Sequence, residues 1–168
     1  LYGVLGMASV SYGYAITTYV GQNLGAKKYR RIRNGVRSGV YMALITSIVI
    51  SGVMVITGRN ILSVFVSGEA GQVKQVLDIA YKYLFIMAIF LWVLYLLYVY
   101  RSAIQGLGNT LIPLASGVVE FCMRVGVALL LPKLIGEDGI FYAEISAWSG
   151  AAILLIVSYV VIIRKYKE

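Results

Sequence analysis

The sequence predicts an all-α integral membrane protein with five transmembrane helices. Three observations carry that prediction. Hydrophobic residues make up 60% of the chain and charged residues only 13%, about half the charge of an ordinary soluble domain. The apolar residues form continuous runs of about 18 to 25, the length a helix needs to cross a bilayer. The runs do not alternate apolar and polar in ten-residue units, as membrane β-strands would. Finally, the connections between runs differ in charge from one to the next.

The first run, 1–24, carries no charge and ends at the basic cluster Lys27, Lys28, Arg30, Arg31, Arg33 and Arg37. The second run is 38–58. A polar segment with Arg59, Glu69, Lys74, Asp78 and Lys82 leads to the third, 83–100. Within it Val73, Val76, Leu77, Ala80, Tyr81 and Leu84 fall at i, i+3, i+4, i+7, i+8 and i+11, which predicts an amphipathic helix at the membrane interface. A Gly-rich turn, 101–110, precedes the fourth run, 111–131. There Asn109 or Thr110 can cap the helix, and Pro113 is tolerated in its first turn. Residues 133–139 separate it from the fifth run, 140–163, after which Arg164, Lys165 and Lys167 close the chain. Tyr81, Tyr83, Tyr98, Tyr100 and Tyr142 lie near run ends, where an aromatic belt belongs.

Five spans place successive connections on alternating sides. The first and third connections plus the C-terminal tail hold ten Lys or Arg, whereas the second and fourth hold four beside four acids. Excess positive charge marks the cytoplasmic side. The C-terminus is therefore expected inside, in a multi-pass protein of the plasma membrane. The net charge of +8 reads as this topology signal, with the basic run anchored at anionic headgroups. A nucleic-acid patch is the competing reading, and the apolar flanks argue against a nucleic-acid partner.

Composition also excludes chemistry. There is no His and one Cys, Cys122. Disulfides, Cys/His metal sites and His-dependent nucleophiles are ruled out by ligand count. No catalytic residue, metal site or cofactor is expected, and the chain does not read as an enzyme. It opens on Leu1 within an apolar run, which predicts a piece of a longer protein.

Two segments stand out by pattern. The first, Val20-Gly21-Gln22-Asn23-Leu24-Gly25-Ala26-Lys27-Lys28-Tyr29, contains a GxxxG that suits close packing or helix termination. It lacks the GK[ST] ending of a phosphate loop. The second is Arg101-Ser102-Ala103-Ile104-Gln105-Gly106-Leu107-Gly108-Asn109-Thr110 followed by Pro113. Together they resemble two motifs of the multidrug and toxic compound extrusion (MATE) transporters: a polar "GQNxGA" before a basic run (Gly21, Gln22, Asn23, Gly25) and a "QGxGxT…P" turn (Gln105, Gly106, Gly108, Thr110, Pro113). Glu120…Arg124 and Gly139…Ala143…Trp148 resemble the last two helices of that family's C-terminal lobe. The resemblance implies that residues 1–168 form most of the C-terminal lobe of a twelve-helix, two-lobe transporter, the N-terminal lobe lying elsewhere in the same chain. It further implies antiport, with small cationic or amphipathic compounds exported in exchange for Na⁺ or H⁺. Several members use acids in the first and fourth helices of this lobe; the first lies outside this sequence. The run 83–100 has none, which is a departure from the pattern. A flippase for lipid-linked oligosaccharides and a non-transporting membrane scaffold are the alternatives.

Candidate site residues follow from charge and polarity inside the runs. Glu120 and Arg124 lie within the fourth run; from Pro113 to Pro132 is 19 helical steps, roughly 28 Å. Charges at such depth mark functional sites by default. Four residues apart, they can also pair with each other. Glu120 thus reads either as a cation-coupling carboxylate or as half of a bracing pair with Arg124. Glu144 reads as an interfacial residue or as an acid that attracts substrate. Ser11, Tyr14, Thr18 and Gln22 form a polar stripe that either lines a cavity or packs against a neighbour. Trp92, Tyr95 and Tyr98 form an aromatic stripe suited to an organic cation, or to packing.

Overall fold

The computed structural model describes residues 2–66 and 70–166; Leu1, Glu69, Lys167 and Glu168 of the expected spans and tail lie outside them. Every element among the described residues is helical: α1 (Tyr2–Gly25), α2 (Tyr29–Phe65), α3 (Ala70–Ile89), α4 (Leu91–Gly106), α5 (Leu111–Leu130), the single turn α6 (Pro132–Ile135), a 3₁₀ turn (Glu137–Ile140) and α7 (Phe141–Lys165).

Helix α4 is the axis of the bundle. Its neighbours α1, α2 and α7 cover it, and α5 packs mainly on α7. Tyr95, Leu97, Val99, Ala103 and Ile104 of α4 join Trp148 and Leu155 of α7 in the buried core. Contacts fix the directions. Tyr12 bonds Thr46 at 2.7 Å, Arg59 pairs with Asp78 at 2.6 Å, and Arg124 pairs with Glu144 at 2.9 Å. Higher numbers on one helix meet lower numbers on the next, so consecutive passes are antiparallel. The basic start of α2, the 107–110 turn and the end of α7 consequently share one end of the bundle. Arg33 there reaches the Tyr166 carbonyl at 2.7 Å. The opposite end holds the Lys82–Asp138 pair at 2.6 Å.

Large apolar side chains point outward: Ile56 is 80% exposed, Phe121 67% and Leu129 63%. Helices apolar on their outer face belong in lipid. Among the described residues three helical stretches are long and apolar enough to cross a membrane, Tyr29–Phe65, Leu111–Ile135 and Asp138–Lys165, and the bent pair α3–α4 makes a fourth. Helix α1 has the length, 24 residues, but its Gly, Ser, Thr and Tyr residues dilute its hydropathy.

Three local features depart from the sequence reading. The basic cluster is not a loop: α2 begins at Tyr29 and runs 37 residues, roughly 55 Å against about 30 Å of hydrocarbon. Arg and Lys are good helix formers, and a helix so much longer than the bilayer core can carry its charged first turns outside it. The third run is not one straight helix but bends by 48° between α3 and α4. No Pro or Gly stands there. Instead Ser51 of α2 donates its hydroxyl to the Ala88 carbonyl at 2.6 Å, and the ladder tightens so that the Val93 N–H bonds the Phe90 carbonyl. A side chain inserted into the ladder is a recognised cause of a kink. Arg101, placed in a connection by its sequence position, is inside α4.

The amphipathic segment is helical as its period requires. Val73, Leu77, Ala80, Tyr81 and Leu84 turn at least partly inward, Val76 does not, and the Tyr81 hydroxyl donates to the Val55 carbonyl at 2.8 Å.

Candidate functional site

The two conspicuous glycine segments are helix ends built alike. At the end of α1 the Lys28 N–H bonds the Asn23 carbonyl and the Lys27 N–H the Leu24 carbonyl, each at 2.9 Å. At the end of α4 the Asn109 N–H bonds the Ile104 carbonyl at 3.2 Å and the Gly108 N–H the Gln105 carbonyl at 2.9 Å. Both are Schellman caps, whose turning residue is left-handed. That residue is Gly108 (φ 82°) in one and Lys27 (φ 55°) in the other. The next helix starts at once, because the Asn109 side-chain oxygen accepts from the Ile112 N–H at 3.1 Å. Asn109 is thus the side-chain cap, Thr110 makes none, and Pro113 is buried in the first turn of α5.

These ends hold α1 against α4. A Cβ on Gly106 would sit 2.7 Å from Val20 Cβ and 2.9 Å from the Thr17 carbonyl oxygen. The Thr17 hydroxyl donates to the Ser102 carbonyl at 3.2 Å. Small residues at this seam bring the backbones close, as in membrane helix packing generally. Gly21 approaches Gly106, whereas Gly25 has open space around it. The GxxxG therefore packs through one glycine and ends the helix near the other. Asn23 donates its side-chain amide to the Tyr19 carbonyl at 2.8 Å.

On the outer side of the seam lies a cleft of about 210 Å³, lined among others by Tyr14, Thr17, Tyr98, Arg101 and Gln105. Ser11, Tyr14, Thr18 and Gln22 do share one exposed face of α1, and Tyr14 brings that face to the cleft. The aromatic stripe divides: Trp92 is 44% exposed, Tyr98 lines the cleft, and Tyr95 is fully buried with its ring 6.1 Å from that of Tyr12. Tyr95 is a packing residue, since the bend at Phe90 and the close approach of α1 bury its face.

Arg101 leads from the cleft to the intramembrane acid. Its guanidinium pairs with Glu120 and donates to the Ser116 hydroxyl at 3.0 Å, which in turn donates to the Pro113 carbonyl at 2.7 Å. The side chains of Arg101 and Glu120 are 22% and 19% exposed. Arg124 turns the other way, to Glu144 of α7. The expected intrahelical pair of Glu120 with Arg124 is therefore corrected: each charge of α5 has a partner on a different neighbouring helix. Interhelical pairing wins because α4 and α7 flank α5 on separate sides, and each offers the opposite charge at matching depth. Sequence reasoning missed Arg101 and Ser116. The signal was available, since Arg101 is the only basic residue of the turn that brings α4 back beside Glu120.

Among the described residues no cluster of His, Cys, Asp or Glu could hold a metal ion. Cys122 is a free thiol exposed on α5.

Apolar helices with exposed apolar faces, and in-span charges satisfied by one another, define a multi-pass helical membrane protein. Residues 1–130 match the family model described as MatE, and the chain belongs to that family. MatE is a family of membrane transporters, not of enzymes. The matched region contains both capped turns, the cleft and the Arg101–Glu120 pair; Gly139, Ala143, Glu144 and Trp148 lie beyond it. The search of curated proteins finds no match.

Proposed function

We propose that this chain forms five spans of one lobe in a two-lobe secondary antiporter, which exports small amphipathic cations in exchange for Na⁺ or H⁺. In this reading the basic end of the bundle, with the C-terminus, faces the cytoplasm of a plasma-membrane protein, and a further lobe of the same chain supplies the other wall of the pathway. The observation that carries the proposal is the continuity of the α1–α4 cleft with the Arg101–Glu120 pair, in a chain of a transporter family. A cation entering beside Tyr14 and Tyr98 meets aromatic faces and competes with Arg101 for Glu120. Protonation of Glu120 would free Arg101 in the same way. Either event alters the contact between α4 and α5, which gives ion binding a mechanical consequence in alternating access.

Charge argues against the flippase alternative. The four paired in-span charges are two Arg and two Glu, so the in-span groups beside the cleft carry no net positive charge to attract an oligosaccharide diphosphate. The scaffold alternative needs no ion coupling.

The test is transport by the whole protein in proteoliposomes, with a fluorescent organic cation and imposed Na⁺ or H⁺ gradients. Gradient-driven movement that Glu120→Gln abolishes, in a variant that still folds, supports the reading. Undiminished coupling in that variant removes Glu120 from the mechanism, and no gradient-driven movement by the unaltered protein sinks the antiporter reading.

A further inference from the structure

At the basic end of the bundle α2, α4 and α7 enclose a second pocket, about 320 Å³ in volume and away from the cleft. Arg33, Arg37 and Tyr41 of α2, Tyr100 of α4 and Tyr159 of α7 line it, with aliphatic side chains between them and no carboxylate.

Both guanidinium groups are held in place by neutral groups. Arg33 Nη2 donates to the carbonyls of Ile163 and Tyr166, at 3.4 and 2.7 Å. It thereby caps the C-terminus of α7, where a cation is favoured. Arg37 donates to the Tyr41 hydroxyl from Nε and Nη2, at 3.3 and 3.2 Å, and lies 5.6 Å from that ring's centre. Among the described residues neither forms an ion pair, and no carboxylate lines the pocket. Beside them Tyr159 is 8% exposed, its ring edge-on to Tyr100 at 5.4 Å, and its hydroxyl has no hydrogen-bond partner. A buried donor without an acceptor is costly. Two exposed guanidinium groups and one buried phenol are together a donor set that a phosphate group satisfies.

Position narrows the source of that phosphate. Arg33 and Arg37 stand in the first turns of α2, opposite the last turns of α7, and the exposed surface of the neighbouring turns is apolar: Ile45 is 63% and Val160 39% exposed. A ligand there has its charge at the level of the helix ends and its remainder along an apolar wall. We propose that this pocket binds the phosphate group of an anionic phospholipid, with Arg33, Arg37 and Tyr159 as donors. Lipid bound there bridges three helices and ties the end of α7 to α2.

The test is thermal unfolding of the whole protein in neutral detergent, titrated with short-chain phosphatidylglycerol, phosphatidylcholine or inorganic phosphate. Phosphatidylglycerol is expected to raise the melting temperature at concentrations at least tenfold below phosphatidylcholine. Arg37→Gln should weaken that response about tenfold and Arg37→Lys restore part of it. Tyr159→Phe keeps both charges and should weaken it several-fold, so the proposal stays testable if Arg37→Gln fails to fold. Inorganic phosphate acting as well as the lipid would keep the site and make free phosphate its ligand. Equal response to the two lipids, or phosphatidylglycerol acting equally on the unaltered protein, Arg37→Gln and Tyr159→Phe, would overturn it.

Discussion

Arg101, from the last turns of α4, pairs with Glu120 in the middle of α5, so an acid inside a candidate span is neutralised by a residue near the end of another helix. Because both side chains are largely buried, neither is easily replaced by water. Removing one partner leaves an uncompensated charge, typically a loss of about 3–5 kcal/mol. Glu120→Leu and Arg101→Leu should therefore each lower the melting temperature in detergent sharply. The double variant should recover much of the loss, since a buried pair is often replaceable by apolar residues. Additive losses in the double-mutant cycle would mean that the two residues do not act as a pair.

The second pair should be far weaker. Arg124 is 44% and Glu144 24% exposed, at 2.9 Å, and where that exposed side faces a water-filled pathway such a pair contributes about 0–1 kcal/mol. In detergent Arg124→Gln should shift the melting temperature only slightly, and less in high salt than in low. A loss as large as that of Arg101→Leu would show that Arg124 is buried in the assembled protein, where lipid or other helices cover α5.

What the sequence could disclose was decided by range. Helix existence, the capped turns around Gly25 and Gly108, and the amphipathic face of α3 are written in local spacing, and the structure keeps them. Partnerships are not local. Spacing alone made Arg124 the natural partner of Glu120, yet the packing of α5 between α4 and α7 assigns each to a different helix. The same holds for Tyr95, which belongs to an aromatic stripe by period and to the core by its contact with α1. The bend at Phe90 was invisible because its cause, the hydroxyl of Ser51, lies on another helix. The start of α2 was misread for another reason: a charge run says where water is, not where the helix ends.

Close packing at Gly106 predicts a steric result. A methyl there meets the Thr17 carbonyl and Val20 Cβ inside contact distance, and backbone cannot swing aside as a side chain can. Overpacking costs about 1–3 kcal/mol, so Gly106→Ala should destabilise by that order and loosen α1 from α4. Gly25→Ala is the control: nothing lies within 4 Å of its Cβ position, and Ala is the better residue in a helix by about 0.5–1 kcal/mol. Equal melting temperatures for the two variants would contradict the close α1–α4 seam.

The two Schellman caps make a matched pair for the last prediction. Gly108 takes φ 82° without strain, whereas Lys27 takes φ 55° with a Cβ, a conformation that costs an L-residue about 1–2 kcal/mol. Gly108→Ala should therefore destabilise by about 1 kcal/mol. Lys27→Gly should relieve the same strain, partly offset by the greater freedom of glycine in the unfolded chain, and leave stability equal or slightly raised. If Lys27→Gly instead destabilises at low salt but not at high salt, the charge of Lys27 outweighs its backbone strain. The two caps would then share a geometry while being retained for different reasons, one steric and one electrostatic. Thermal unfolding of both variants at two ionic strengths separates these outcomes, because salt screens an exposed charge and leaves a backbone dihedral untouched.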